Sequence, residues 1–441
     1  MTAFLWIVAA FLAIAAGGWL FRFAGQHFTG NKPFFRDMPF GVAFGYALAA
    51  AALIGGIWLF RQPGAVFFRW AVIGFAIFGV LAYYLRLFGM YVGSRASRKL
   101  FRQMPLTAAF GIMVIIVYAF LAAFAGQVPA YAVFVIAVVG LPLCVYAQKY
   151  LAEDAAKSIL GIVLTVLIVF VVMYFVGPLA PHGQEEVFEK VNVLPGGDPA
   201  LGGDPAHPLG TDQIGRDLLS RLIFGAQNTV GIAFATTLLA FFLGGTLGFL
   251  AATLGGWLDQ VLSRAVDVLM AIPALIFALL LMTIASAWAG NQSWLLTVYM
   301  IVIIAVIDST RVFRLARAVG INIVVMDYIE AAKLRGEGLT YLIFKEILPN
   351  ATAPLLAEFG LRFCFVFLTI AALSFLGVGI QPPLADWGTM VRDLAQFINF
   401  AAFSPLTAAL PLLAAGAIAL LTVAVNFVVD WMLQKTSGLK E

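Results

Sequence analysis

The chain is poor in charged residues. Of its 441 residues only 11% are Asp, Glu, Lys or Arg, whereas typical soluble domains carry about a quarter. A water-soluble protein of this composition would lack the polar side chains that cover its surface. Hydrophobic residues make up 63% of the sequence and the mean hydropathy is +1.01, so the composition indicates a protein whose solvent is the lipid bilayer.

Residues that bind metals or form disulfides are also scarce. The two cysteines, Cys144 and Cys364, lie in apolar runs, and the sequence has no CxxC or Cys/His spacing of a metal site. The three histidines, His27, His182 and His207, lie far apart in the sequence, so we interpret them as solvated loop residues. The sequence therefore predicts no metal site.

Signatures of catalysis are missing as well. The sequence has no GxxxxGK[ST] loop to cradle nucleotide phosphates, and no Ser/His/Asp set or pair of catalytic carboxylates. The net charge of +4 comes from loops between apolar runs, without the basic stripe and interleaved aromatics of a nucleic-acid-binding surface. We therefore expect no catalytic residue and no nucleic-acid partner.

Long apolar runs dominate what is present. A helix needs about 20 apolar residues, at about 1.5 Å of rise each, to cross the hydrocarbon core. Such runs occur at residues 3–20, 41–60, 67–85, 107–126, 130–147, 158–180, 229–252, 266–288, 295–316, 360–380 and 405–430. The first run lacks a basic leader and a cleavage site, so we interpret it as a retained helix. The predicted fold class is all-α, a polytopic membrane protein with about 11 transmembrane helices.

Charged loops orient these spans. The loop after the third span is basic and has no acidic residue, which places it in the cytoplasm by the positive-inside rule. Its basic residues are Arg86, Arg95, Arg98, Lys99 and Arg102. Counting the crossings from this loop places the N-terminus outside and the C-terminus in the cytoplasm. The loop 181–228 then lies outside, where its excess of acidic residues carries no penalty.

The segment 327–350, between the ninth and tenth spans, is amphipathic and too polar to cross a membrane. Its triplet Glu330-Ala331-Ala332 supplies good helix formers, and Gly336 allows a sharp bend. Apolar residues then return at helical spacing until Pro349, which we expect to stop the second helix. The pattern predicts a helix-bend-helix that docks a partner. A plain amphipathic surface helix is the alternative.

At these residues the chain resembles the EAA loop of permease subunits of bacterial binding-protein-dependent ABC importers. The matching residues are Glu330, Ala331, Ala332, Gly336, Leu348 and Pro349. The resemblance implies that they form a cytoplasmic loop, within 319–355, that fits a cleft on an ATPase subunit and couples ATP-driven closure to pore opening. It also implies a second related permease, two ABC ATPase subunits that hold ATP and Mg, and an extracytoplasmic solute-binding protein. The implied location is the bacterial inner membrane, with no cofactor on this chain.

A second stretch resembles the C-type permeases of dipeptide, oligopeptide and nickel importers. Its residues are His207, Gly210, Thr211, Asp212, Gly215, Arg216 and Asp217. We expect Thr211 or Asp212 to cap an amphipathic helix that begins just after this stretch. The resemblance implies an outer gate or a contact with the binding protein. A solvated interfacial helix is the alternative.

The resemblance covers residues 155–435. It implies a permease core of six helices, the type I importer fold, at 151–441, with the outer loop 181–228 and the inner coupling loop 319–355. Residues 1–150 form a predicted extension of five helices, in which the chain departs from the family pattern. This extension could pack against the core, bind lipid or recruit another subunit, and the sequence leaves these three roles open.

Charges within the spans are few. We interpret Asp308 as pairing with Arg311 one turn on, near the cytoplasmic exit of its helix, rather than as a polar part of the pore. Glu358 and Arg362 have the spacing of a second pair within one helix.

Two other functions fit a membrane protein of this size. A secondary transporter would suit the predicted spans, but it would be expected to carry buried carboxylates at membrane depth, which are scarce here. A membrane-embedded enzyme would need clustered His, Asp or Glu at that depth, and the sequence has none.

Overall fold

The computed structural model describes residues 66–91, 95–129, 166–290, 292–400 and 404–437, with shorter helical pieces between 15 and 50. The chain divides into two units, Met1–Ile73 and Gly74–Glu441. In the first unit, Gly18 lies so close to the backbone of Phe44 that an added Cβ would stand 3.0 Å from its Cα. The predicted spans 3–20, 41–60 and 130–147, the first part of 158–180 and the N-terminus lie wholly or largely outside the described residues.

The described residues are helical, with irregular loops and no strand. The helices are α1 Val66–Tyr91, α2 Arg95–Gln103, α3 Leu106–Phe124, α4 Val166–Val176, α5 Leu218–Gly225, α6 Gly231–Leu254, α7 Gly256–Ala271, α8 Ala274–Ala289, α9 Ser293–Val324, α10 Asp327–Leu334, α11 Leu339–Tyr341, α12 Leu348–Phe375, α13 Trp387–Leu394 and α14 Pro405–Ser437. Short π-helical turns join α5 to α6 and α11 to α12. Within this part of the chain, six helices are long and apolar enough to span a membrane, and the bent pair α7–α8 would make a seventh.

The predicted span 266–288 is wrong as one straight helix. Two helices, α7 and α8, meet there at 90°. Pro273 has no N–H to donate and forces the preceding residue out of helical geometry, and Ile272 is accordingly extended. The other predicted spans within the described residues are confirmed as helices, several of them longer than expected.

The expectation that Pro349 stops the second helix of the docking segment is also wrong. The π-helical turn Leu342–Ile347 leads directly into α12, and Pro349 lies in the first turn of that helix. A proline is tolerated at this position because the N–H groups of a first turn have no partner within their own helix.

Close helix packing depends on small residues. A Cβ added to Gly244 of α6 would stand 2.4 Å from the carbonyl oxygen of Ser309 in α9, and one added to Gly248 would stand 2.7 Å from the Ala316 side chain. This is the close approach that small residues four apart allow between membrane helices. The helices α6 and α9 therefore form a tightly packed pair.

Two pairs of contacts show that α3 and α12 both run antiparallel to α14. In α3, Tyr118 donates a hydrogen bond to the Ala417 carbonyl at 3.1 Å, and Gly111 packs against Ala424. In α12, Gly360 packs against Val429, while Cys364 lies nearer the start of α14. The basic helix α2, the docking segment and the end of α14 consequently lie at one end of the bundle. The loop 177–217 and α13 lie at the other end.

Candidate functional site

The docking segment begins with the short helix α10. Asp327 and Glu330 lie in its first turn and Lys333 in its last, so its charges complement the helix dipole at both ends. The helix follows α9 after the extended residue Met326. The predicted first helix of the helix-bend-helix is confirmed.

One side of α10 is buried. Ile329 and Ala332, three residues apart, are fully buried in one cluster with Ile343 and Ile347 of the π-helical turn. These contacts join α10 to the start of α12 in one packed unit. The apolar residues against which α10 packs are those whose helical spacing the sequence predicts in the second half of the segment.

The opposite side of α10 is exposed. Glu330 and Ala331 are exposed on the side away from this buried cluster, and Leu334 is 84% exposed at the end of the helix. Val325, just before the helix, is 77% exposed. Single exposed apolar residues are common, but here they lie in or just before one short helix that also presents a carboxylate and a small alanine. On this surface a partner protein could make apolar contacts and charged contacts, and it could approach the helix closely at the small alanine.

The bend follows α10 at Gly336, which has φ +81°. An added Cβ would meet nothing within 4 Å, so glycine is favoured there by backbone conformation and not by space. The Gly336 N–H donates to Lys333 and the Glu337 N–H to Ala332, which closes the end of the helix. Leu348 is half-buried and Pro349 exposed at the start of α12, beyond the bend.

At the other end of the bundle, His207 and Asp217 form a buried pair. His207 Nδ1 lies 3.0 Å from Asp217 Oδ1, and the ring packs edge-on against Phe188. Asp217 also accepts the Ser220 N–H at 2.8 Å, and it is therefore the N-cap of α5. The prediction of Thr211 or Asp212 as the cap is wrong, and so is the interpretation of His207 as a solvated residue.

Thr211 and Asp212 instead fix the loop that precedes α5. The Thr211 hydroxyl donates to the Lys190 carbonyl at 2.9 Å and accepts the Val193 N–H at 3.1 Å. Asp212 accepts two backbone N–H groups and pairs with Arg216 at 2.6 Å. The motif residues thereby hold together a loop whose regular structure is limited to isolated bridges and the single-turn 3₁₀ helix Pro199–Leu201.

Gly210 and Gly215 are required by this arrangement. Both have φ +86°, and a Cβ on either would stand 2.1 Å from a carbonyl oxygen, of Val193 and Phe188 respectively. Of the seven predicted outer residues, only Arg216 keeps partial exposure. Their contact with a binding protein stays a prediction.

Comparison with known proteins identifies the family of the chain. A family model for the inner membrane component of binding-protein-dependent transport systems matches residues 244–437. The dipeptide transport system permease protein DppC of Haemophilus influenzae is 34% identical over 246 residues, which are 55% of this chain and 79% of that protein. The chain belongs to this permease family.

Other relatives of the permease are similar over the same share of its length. DppC of Escherichia coli K12 is 36% identical over 246 residues, 55% of this chain and 78% of that protein. The glutathione transport system permease protein GsiD of Pectobacterium atrosepticum is 30% identical over 232 residues, 52% of this chain and 72% of that protein. The permease is thus an all-α, multi-pass membrane protein.

A buried network that sequence reasoning missed lies at the end of the bundle that holds the loop 177–217. Asp386, fully buried, accepts hydrogen bonds from the Thr229 hydroxyl and the Thr389 N–H, both at 2.8 Å. Burial raises the pKa of the Asp386 carboxyl. The Trp387 indole donates to the Leu222 carbonyl at 2.9 Å. Thr229 and Leu222 lie more than 150 residues before their partners Asp386 and Trp387, so no local sequence pattern predicts these hydrogen bonds.

Ion pairs within the permease also differ from expectation. Asp308 lies 3.6 Å from Arg362, a residue of another helix, so its interpretation as a partner of Arg311 is wrong. The Glu358–Arg362 pair is confirmed, with Oε1 2.7 Å from Nε. This approach is close but lacks hydrogen-bond alignment, since Arg362 Nε makes no hydrogen bond. A further pair, Arg317 with Asp259, ties α9 to α7.

Proposed function

We propose that the permease forms part of the translocation path of an ATP-driven importer of peptides or peptide-like solutes. The printed names of its relatives, for dipeptide, peptide and glutathione transport, support this class of substrate. Two separate ATPase subunits bind ATP and Mg and hydrolyse ATP, while this chain contributes neither a catalytic residue nor a cofactor site. A second related permease and an extracytoplasmic solute-binding protein complete the importer.

The observation that carries the proposal is the exposed side of α10. A short helix that presents Glu330, Ala331 and Leu334, and is anchored through Ile329 and Ala332, is suited to a cleft on a partner protein. Movement of the partner pushes α10 and, through Ile347, the start of α12. Coupling by this route requires no nucleotide contact from the permease itself.

The orientation belongs to the same proposal. The docking segment shares its end of the bundle with α2, whose basic residues favour the cytoplasm under the positive-inside rule. In this orientation the ATPases meet α10 in the cytoplasm, the C-terminus lies beside them, and the loop 177–217 faces the binding protein. The N-terminus lies outside.

The test is a purification of the full chain from detergent-solubilised membranes, with identification of any copurifying P-loop ATPase by mass spectrometry. We expect the ATPase to copurify with wild type and to be lost with Leu334→Asp. The matched control is Val187→Asp, which places the same charge at an exposed apolar residue of the outer loop, 59% exposed, at the other end of the bundle. Loss of the ATPase in both variants, or in neither, would contradict the docking role.

Transport by the purified protein separates the importer from a secondary carrier. Reconstituted alone with an ion gradient, the permease should move no labelled dipeptide. Reconstituted with its ATPases, the second permease and the binding protein, it should transport only when ATP is supplied. Uptake by the chain alone would establish the carrier in place of the importer.

A further inference from the structure

The corner between α1 and α2 carries a cluster of positive charge that pairs with no acidic residue of the described chain. Its described side chains Arg98, Lys99 and Arg102 are all exposed, and they line a hollow of about 340 Å³ together with Met90. None of the ion pairs formed by the described residues involves these three side chains. The whole segment 38–152 contains neither Asp nor Glu.

The corner is a built structure and not a loose basic loop. Gly89 of α1 lets the ring of Phe101 in α2 approach so closely that an added Cβ would stand 2.2 Å from the ring. Arg86 Nη2 donates to the carbonyl of Arg102, in the last turn of α2, at 3.4 Å. The apolar side of α2 is thus held on α1, and its basic side faces outward.

A buried donor at this corner is also left without a partner. The Nε of Arg86 is inaccessible to solvent and makes no hydrogen bond within the described chain. A buried, unsatisfied group on a cationic side chain costs free energy unless another group accepts from it. An anion held at the corner would lower this cost through its charge, without contacting Nε.

The position of the corner indicates where such an anion comes from. The helix α2 lies between two helices that are apolar and long enough to span a membrane, α1 and α3. Phe88 is 65% exposed and Tyr91 is 77% exposed at the end of α1, where aromatic side chains mark the level of lipid headgroups. Met90 gives the hollow an apolar wall beside its cations. A phospholipid matches the cations, the apolar wall and the headgroup level of this corner, because it joins a phosphate to an apolar tail.

We propose that this corner, defined by Arg86, Met90, Arg98, Lys99 and Arg102, binds the phosphate headgroup of an anionic phospholipid in the adjacent leaflet. The guanidinium and ammonium groups pair with phosphate oxygens, and the acyl chain lies against α1. This gives part of the N-terminal extension a lipid-binding role that is independent of ATPase docking.

The experiment uses the full-length, delipidated protein and follows lipid binding by native mass spectrometry. The probes are phosphatidylglycerol, phosphatidylcholine and inorganic phosphate. We expect wild type to bind phosphatidylglycerol at least tenfold more tightly than phosphatidylcholine, and R98Q/K99Q/R102Q to lose this preference. The variant R98K/R102K keeps most of it, because lysine also binds phosphate as a point charge.

The matched control is R264Q/K333Q/K345Q, which removes three exposed cations elsewhere and should bind lipid as wild type does. Gel filtration reports folding, and if the triple variant aggregates, the single variants R98Q and R102Q should each weaken binding at least twofold. Equal phosphatidylglycerol binding by wild type and the corner variants would overturn the proposal. So would displacement of the lipid by millimolar inorganic phosphate, which would indicate a site for a soluble anion.

Discussion

Asp308 of α9 and Arg362 of α12 form an ion pair between the two long helices that flank the docking segment. The atoms Asp308 Oδ1 and Arg362 Nη1 are 3.6 Å apart, and both side chains are nearly buried. Asp308 Oδ2 has no hydrogen-bond partner among the described residues. Since Glu358 approaches the same guanidinium, one cation faces two carboxylates within the bundle.

This asymmetry predicts a rank order of stability. Arg362→Leu leaves two partly buried carboxylates without their shared arginine and should destabilise the protein by about 3 kcal/mol. Asp308→Asn leaves Arg362 paired with Glu358, so its effect should be much smaller. Thermal unfolding of the purified variants in detergent measures both. An Asp308→Asn variant as unstable as Arg362→Leu would show that Glu358 contributes little to compensating the arginine.

Gly336 and Gly338 form a natural pair of test and control positions for coupling. Gly336 has φ +81° and Gly338 has φ −74°, and neither would bring an added Cβ within 4 Å of another group. Gly336→Ala should therefore strain the bend by roughly 1–2 kcal/mol, while Gly338→Ala should be tolerated.

ATP-driven uptake in proteoliposomes measures the consequence. We expect Gly336→Val, Gly336→Ala and Gly336→Asp to reduce transport in decreasing order of severity, since Asp tolerates positive φ better than Ala or Val. Membrane insertion should be unchanged, because the bend lies outside the spans. Equal losses at Gly336 and Gly338 would mean that side-chain bulk, and not backbone conformation, matters there.

Local patterns account for what the sequence could predict. Apolar runs located the long apolar helices, although several of these extend well beyond the predicted ends and one run is two bent helices. The triplet before Gly336 predicted both α10 and its bend. These features depend on neighbours within one or two turns, which the sequence displays directly. The seven predicted outer residues lie within 207–217 in one loop, and their contact with a binding protein stays a prediction.

Features that depend on distant partners could not be predicted in the same way. Asp308 has an arginine three residues on, so the sequence favoured Arg311, but the fold places Arg362 of another helix beside it. Pro349 is a helix breaker in most contexts, yet here it follows a π-helical turn and opens a helix. Asp217 was assigned to the motif without its capping role, because that role requires knowing where α5 begins.

The outer loop should be sensitive to the smallest substitutions at its glycines. Gly210→Ala and Gly215→Ala each combine a positive φ with a Cβ 2.1 Å from a carbonyl oxygen, so we expect a loss on the order of 3 kcal/mol. Gly177→Ala is the control, since its φ is +95° and its surroundings are open. Limited proteolysis of the loop should be faster in the first two variants only. Equal rates in all three would show that the close contacts are readily relieved.

Asp386 should make stability depend on pH in a defined direction. Because burial raises its folded pKa above the unfolded value of about 3.9, the folded state binds the proton more tightly, and stability falls as pH rises through this interval. Asp386→Asn removes the titration but can still accept the Thr389 N–H and donate to the Thr229 hydroxyl. Between about pH 5 and about pH 8, the melting temperature of Asp386→Asn should therefore rise relative to that of wild type as the pH increases. Thr389→Val keeps the carboxyl and should leave the pH dependence in place. Parallel melting curves for wild type and Asp386→Asn across this range would contradict a raised pKa and would mean that the hydrogen bonds to the carboxylate outweigh its burial.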